Sequence, residues 1–153
     1  MAHVESIAFV SSDITTQFTD SLAYGASEYE DLDLTGTGGV QSGEARCFVT
    51  SLRLITAQNN AWMVTVHDRA STYDSINGYQ LNNNTLIDFW QWTAAQGVSV
   101  GTVYVYSVSG MKIPYRDRDG QGRLHVALHN QSTTSKIQGT GYAHLKVGVI
   151  DAA

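Results

Sequence analysis

Residues 110–130 read GMKIPYRDRDGQGRLHVALHN, and residues 143–151 read AHLKVGVID. Leu124, Val126 and Leu128 fall on one side of the first stretch; Ala143, Leu145, Val147 and Val149 fall on one side of the second. Successive side chains of an extended chain point to opposite faces, so a period of two predicts half-buried strands. Asp119-Gly120, just before the first run, is turn chemistry. The end of the chain therefore predicts a pair of strands that close a β-rich fold and present a surface.

The same period appears upstream. Arg46–Thr56 (RCFVTSLRLIT) places Phe48, Leu52 and Leu54 on one face and Cys47, Val49 and Ile55 on the other. In 61–67 (AWMVTVH), Trp62, Val64 and Val66 alternate with Met63, Thr65 and His67. The run 98–108 (VSVGTVYVYSV) is rich in Val and Tyr, which suit a pleated surface. Residues 3–10 alternate loosely, and 85–96 (TLIDFWQWTAAQ) fits a helix or a strand, with the Asn run before it favouring a strand. Turn signals at Gln58-Asn59-Asn60, Asn77-Gly78, Asn82-Asn83-Asn84, Ser109-Gly110 and Asp119-Gly120 separate these runs. Short strands at regular spacing, without amphipathic helices between them, predict a single all-β domain, a β-sandwich of jelly-roll type. Residues 25–43 (GASEYEDLDLTGTGGVQSG) read instead as a Gly-rich acidic loop, pinned by a neighbouring subunit.

Composition narrows the function. The chain has 153 residues, enough for one domain with a core of its own. Charged residues make up 15%, which leaves a surface rich in Ser, Thr, Asn, Gln and Gly. Residues 1–45 hold eight acidic groups and no Lys or Arg, whereas 46–153 hold nine basic and six acidic groups. Nucleic-acid binding is disfavoured, since it needs clustered cations. An acidic first third suits docking on a basic partner, and Glu28, Glu30, Asp31 and Asp33 are the expected partner contacts, together with the N-terminal arm. Cys47, the one cysteine, sits in an apolar run and reads as a buried thiol. Residues 1–20 lack a basic start followed by an apolar run, and no stretch is apolar enough for a membrane span, so synthesis in a cytoplasm is expected.

Candidate chemistry is sparse. Asp117-Arg118-Asp119-Gly120 resembles the start of a calcium loop, but the twelfth position is Leu128 where a Glu is needed, so a polar turn is expected. His125 and His129 share a strand face, with His144 on the outward face of the final strand; three imidazoles in register would suit zinc, yet solvent- or subunit-facing histidines are the simpler expectation. There is no nucleophile elbow, no phosphate loop and no paired carboxylates in an apolar setting, so no enzyme, cofactor or metal is expected. Among the aromatics, Trp62, Tyr104 and Tyr106 read as core, and Trp92 as the candidate for an exposed sugar platform.

Residues 112–149 resemble a pattern of small structural proteins of tailed bacteriophages. The likeness rests on Ile113-Pro114-Tyr115, Asp117-x-Asp119-Gly120, Leu124-His125-Val126-Ala127-Leu128-x-Asn130-x-Ser132, Gly139-x-Gly141 and the closing strand 143–149, and covers the last quarter of the chain. It implies a head decoration, or cement, protein: a sandwich or jelly roll on the outer head surface of a virion. Its partners would be the major capsid protein and other copies of itself, in an oligomer or assembled on the shell, bridging capsomers without catalytic residues. A receptor- or glycan-binding module of a tail or fibre, and a head–tail connector component, are the alternatives.

Overall fold

A computed structural model describes residues 7–13, 25–34, 46–71, 81–132 and 143–151. Ten strands are present among them: β1 Ile7–Asp13, β2 Ser27–Asp33, β3 Arg46–Thr56, β4 Trp62–His67, β5 Leu86–Trp92, β6 Val98–Val100, β7 Val103–Val108, β8 Ile113–Arg116, β9 Arg123–Asn130 and β10 His144–Asp151. The period-two runs of the sequence became strands because each carries an apolar side that must leave water. The stretch 85–96 resolves as strand β5 followed by a 3-10 turn at Ala94–Gln96. Val98 to Val108 is not one strand but a hairpin, turned at Gly101, whose positive φ of 61° is open to glycine.

Two antiparallel sheets face each other as a β-sandwich. One has the order β1-β10-β3-β7-β6, with β8 also on β3; the other runs β2-β9-β4-β5. The pairings have a simple logic. β1 with β10, β2 with β9, β3 with β7 and β4 with β5 are successive rungs of one long folded hairpin whose tip is β4–β5. Rolling that hairpin adds the pairs β10–β3 and β9–β4.

Leu32, Leu54, Trp62, Val64, Tyr106, Leu124, Val126 and Val147 lie buried in the core between the sheets. Each such aliphatic side chain contributes about 1.5–3 kcal/mol by leaving water. Cys47, the one cysteine of the chain, is buried there outside any disulfide.

Three expectations need correction. First, residues 25–43 are not a loop throughout: Ser27–Asp33 is β2, paired residue for residue with β9, because Ala26, Leu32 and Leu34 bury apolar side chains. Residues 35–43 of that stretch and the N-terminal arm before Ile7 lie outside the described residues, as do Asn77-Gly78 and Gly139-x-Gly141. Second, strict alternation in β3 would put Cys47 and Val49 opposite Leu52 and Leu54, yet all four are buried. The register against β10 steps from Ser51↔Gly148 to Val49↔Val149, so Thr50 is the extra residue of a β-bulge that turns the strand over. The partner on the other side changes at the same place, from β8 to β7. Third, Trp92 is not exposed. It is 2% accessible, packs on Tyr106 in the core and donates its indole N–H to the Ser107 carbonyl at 3.2 Å.

Candidate functional site

Sheet β2-β9-β4-β5 has an inner face mainly of Leu, Val and Trp, with Glu28 and Glu30 of β2 on the same side. Its other face is polar, and over Ser27 and Tyr29 of β2, over β4 and over His125, Ala127 and His129 of β9 it is buried as well. Registry sets this face: Ser27, Tyr29 and Asp31 of β2 lie opposite His129, Ala127 and His125 of β9. Those in turn lie opposite Met63, Thr65 and His67 of β4. Ala127 is the small residue at the centre, and the ring of Tyr29 sits 5.0 Å from that of His67 and 6.2 Å from that of His129. His67 and His129 are fully buried and His125 is 3% accessible, so the expectation of solvent- or subunit-facing histidines is corrected for His125 and His129. His144 lies on β10 in the other sheet, so the three imidazoles His125, His129 and His144 do not form one cluster.

Five side chains form a continuous hydrogen-bonded chain with one direction. Thr85 Oγ1 donates to the Asn82 carbonyl at 3.3 Å. It must therefore accept from His67 Nδ1, 2.8 Å away. His67 Nε2 then carries a lone pair and accepts from Thr65 Oγ1 at 2.8 Å. Thr65 in turn accepts from His129 Nε2 at 2.9 Å, and His129 Nδ1 accepts the Ser27 hydroxyl at 2.7 Å. A neutral imidazole offers one donor and one acceptor, and here both rings use both. Their pKa values agree: burial pulls His67 down to about 4 and His129 to about 3. The Ser27–His129 pair has the geometry of a nucleophile and base, but a buried hydroxyl beside so weak a base has little nucleophilic power at neutral pH. The chain instead ties β2, β9, β4 and the start of β5 into one unit.

His125 behaves differently. Its Nδ1 meets Asp31 Oδ1 at 2.6 Å, and its Nε2 meets Asp117 Oδ1 at 3.0 Å and Asp119 Oδ2 at 3.7 Å. Burial opposes charge on this ring, but the hydrogen bonds with Asp31 and Asp117 outweigh it and its pKa rises. Asp117 is itself fully buried. Its carboxylate accepts the backbone N–H groups of Asp119 at 3.0 Å, Gln121 at 2.9 Å and Arg123 at 2.9 Å. Those bonds, with His125, hold its pKa below the ordinary carboxylate value despite burial. The segment 117–120 is thus a polar turn built around one buried acid, and it leads the chain into β9.

The four acids expected to meet a partner all fall on β2, on alternating sides. Glu28 is buried and Glu30 half-buried, on the same side of the sheet as Leu32; Asp31 and Asp33 are exposed on the other side. They do not form one acidic surface. The sequence places Thr65 and His67 on one strand face but does not show their hydrogen-bonded network, although a signal exists: their polar alternation with Trp62, Val64 and Val66 uses Thr and His rather than Lys or Glu, the choice of a face that will be covered.

The exposed large apolar residues lie elsewhere, on β5 and β6: Ile87, Phe89 (49% accessible), Trp90, Val98 (62%) and Val100. β5 pairs only with β4, and β6 only with β7, among the described strands. The two are joined through Thr93–Gly97, so among the described strands one edge of each sheet lies on the same side of the sandwich.

Among the described residues no helix is long and apolar enough to cross a membrane. No protein-family model matches the chain, and no curated protein matches it in sequence.

Proposed function

We propose that this chain is a structural protein of a tailed-bacteriophage particle, a jelly roll that decorates the head and stabilises it by bridging neighbouring capsomers. The jelly-roll reading is supported by the rolled hairpin: two four-strand rows, β1-β10-β3-β7 and β2-β9-β4-β5, filled by alternating chain segments. The observation that carries the functional reading is the pair of edges at β5 and β6, beside which no further strand lies among the described residues. Sheet edges that stay alone in solution are blunted with Lys, Pro or inward charges. Residues 86–100 contain no Lys, Arg or Pro, and Asp88 is their one charge. Exposed apolar side chains on an edge without Lys or Pro suit a surface that is covered in the working assembly, by capsid protein or another copy. Many copies, each adding a modest contact, sum to a shell that resists rupture. The exposed Asp31 and Asp33, on the opposite edge strand of their sheet, would face basic groups of the same shell.

The test is binding to shells. Purified chain added to phage heads that lack it should bind in fixed ratio to the major capsid protein, and Phe89→Ser should weaken that binding. Absence of binding, or a single ring at one vertex, would overturn the reading, the ring pointing to a connector. A second reading, a glycan-binding module, draws on one feature: Asp88, Phe89 and Trp90 line a groove of about 410 Å³ with Lys112. It predicts saturable glycan binding abolished by Trp90→Ala.

A further inference from the structure

We propose that Asp117, Asp119 and His125 form a binding site for a divalent transition-metal ion of the zinc class, with Asp31 orienting the imidazole. One ligand atom from each of the three lies within 4.8 Å of the others. The separations from His125 Nε2, 3.0 Å to Asp117 Oδ1 and 3.7 Å to Asp119 Oδ2, bracket the spacing of about 3.3 Å between neighbouring ligands on a tetrahedral zinc ion.

Four further features fit a built site. The far ring nitrogen, Nδ1, is held by Asp31 at 2.6 Å, the carboxylate–histidine arrangement that leaves Nε2 free to ligate. Asp117 is held rigid by three backbone N–H groups, which orient its carboxylate without occupying the lone pair that faces Nε2. Asp119 Oδ2 is positioned by the Ala70 N–H at 2.8 Å. Access is also provided, since the Asp117 and His125 side chains are 0% and 4% accessible while that of Asp119 is 34%. The ion takes the place of the proton between Nε2 and Oδ1, so the existing contacts of Asp117 survive. One nitrogen and two oxygens leave a position for water, which suits zinc or cobalt; calcium takes six or more oxygen ligands and has no use for the imidazole. The bound ion would clamp the 117–122 turn to β9, and through Asp31 to β2. It would bind whether or not the chain rides on a phage head.

Untagged protein, stripped with chelator, is titrated with Zn²⁺ by calorimetry and with Co²⁺ by visible absorption. One ion per chain is expected. A hundredfold excess over Kd should raise the thermal midpoint by about 5–10 °C. Asp119→Asn keeps an acceptor for the Ala70 N–H; it should fold as the parent does and lose at least about tenfold in zinc affinity. Asp31→Asn, which weakens the hold on Nδ1, should lose about tenfold as well. Absence of zinc binding, unchanged affinity in Asp119→Asn, or binding of Ca²⁺ in preference to Zn²⁺ would each overturn the assignment.

Discussion

The two faces of β9 are both buried and owe their order to different forces. Leu124, Val126 and Leu128 point into the sandwich and are held by loss of contact with water. His125, Ala127 and His129 point the other way, and their two imidazoles are held by hydrogen bonds that must all be made at once. An apolar face tolerates small misfits, each with a graded cost. A buried polar face is less forgiving, because one missing partner strands a donor or acceptor away from water. The polar face therefore specifies which strands pair: Ser27, Thr65, His67, Thr85 and His129 satisfy one another only in this register.

The largest effect should come from the apolar side. Leu128→Ala should cost about 2–5 kcal/mol in urea unfolding, since Leu128 is 2% accessible and the cavity cannot refill. Thr65→Val should come next. It keeps the volume but leaves His67 Nε2 without a donor and His129 Nε2–H without an acceptor, at about 2–3 kcal/mol. If Thr65→Val proves neutral, the polar face is wet and the contrast between the faces fails.

Acid should separate the faces more sharply. His67 and His129 are neutral when folded, with pKa values of about 4 and about 3, against 6.5 unfolded. The unfolded chain thus binds more protons below pH 6.5, and stability should fall as pH drops from about 6.5 toward 4. His67→Gln should flatten that slope, whereas Leu128→Ala should lower the whole curve without changing its shape. The smallest stability effect belongs to Phe89, on the same outer face but one strand beyond the covered region. Phe89→Ser should change folding by no more than about 0.5 kcal/mol while weakening attachment to phage heads.

Most strands were legible in the sequence because a period of two is a local property. The runs at 46–56, 61–67, 123–130 and 143–151 show it, and each is a strand. β8 was missed, since Ile113–Arg116 is too short and contains Pro114. β2 reads as loop in the sequence because its acids hide the burial of Ala26, Leu32 and Leu34. The bulge at Thr50 could not be foreseen, because an extra residue shows only against a partner strand. Trp92 failed for a similar reason: the Gln91 beside it suggested exposure, but neighbours on a strand face opposite ways, and Trp92 shares its side with Trp62.

Alternation and turn residues thus settled that the chain is all-β, where several strands lie and which residues can share a face, for these follow from backbone geometry over a few positions. Burial of the second face of β9 depended on strands far away in sequence. Ser27 and His129 meet across 102 residues, and Asp31 and His125 across 94. A histidine on a strand reads alike whether it faces water or a covered polar network. The folded partners distinguish the two, because only they set its dielectric surroundings, its protonation state and its hydrogen bonds.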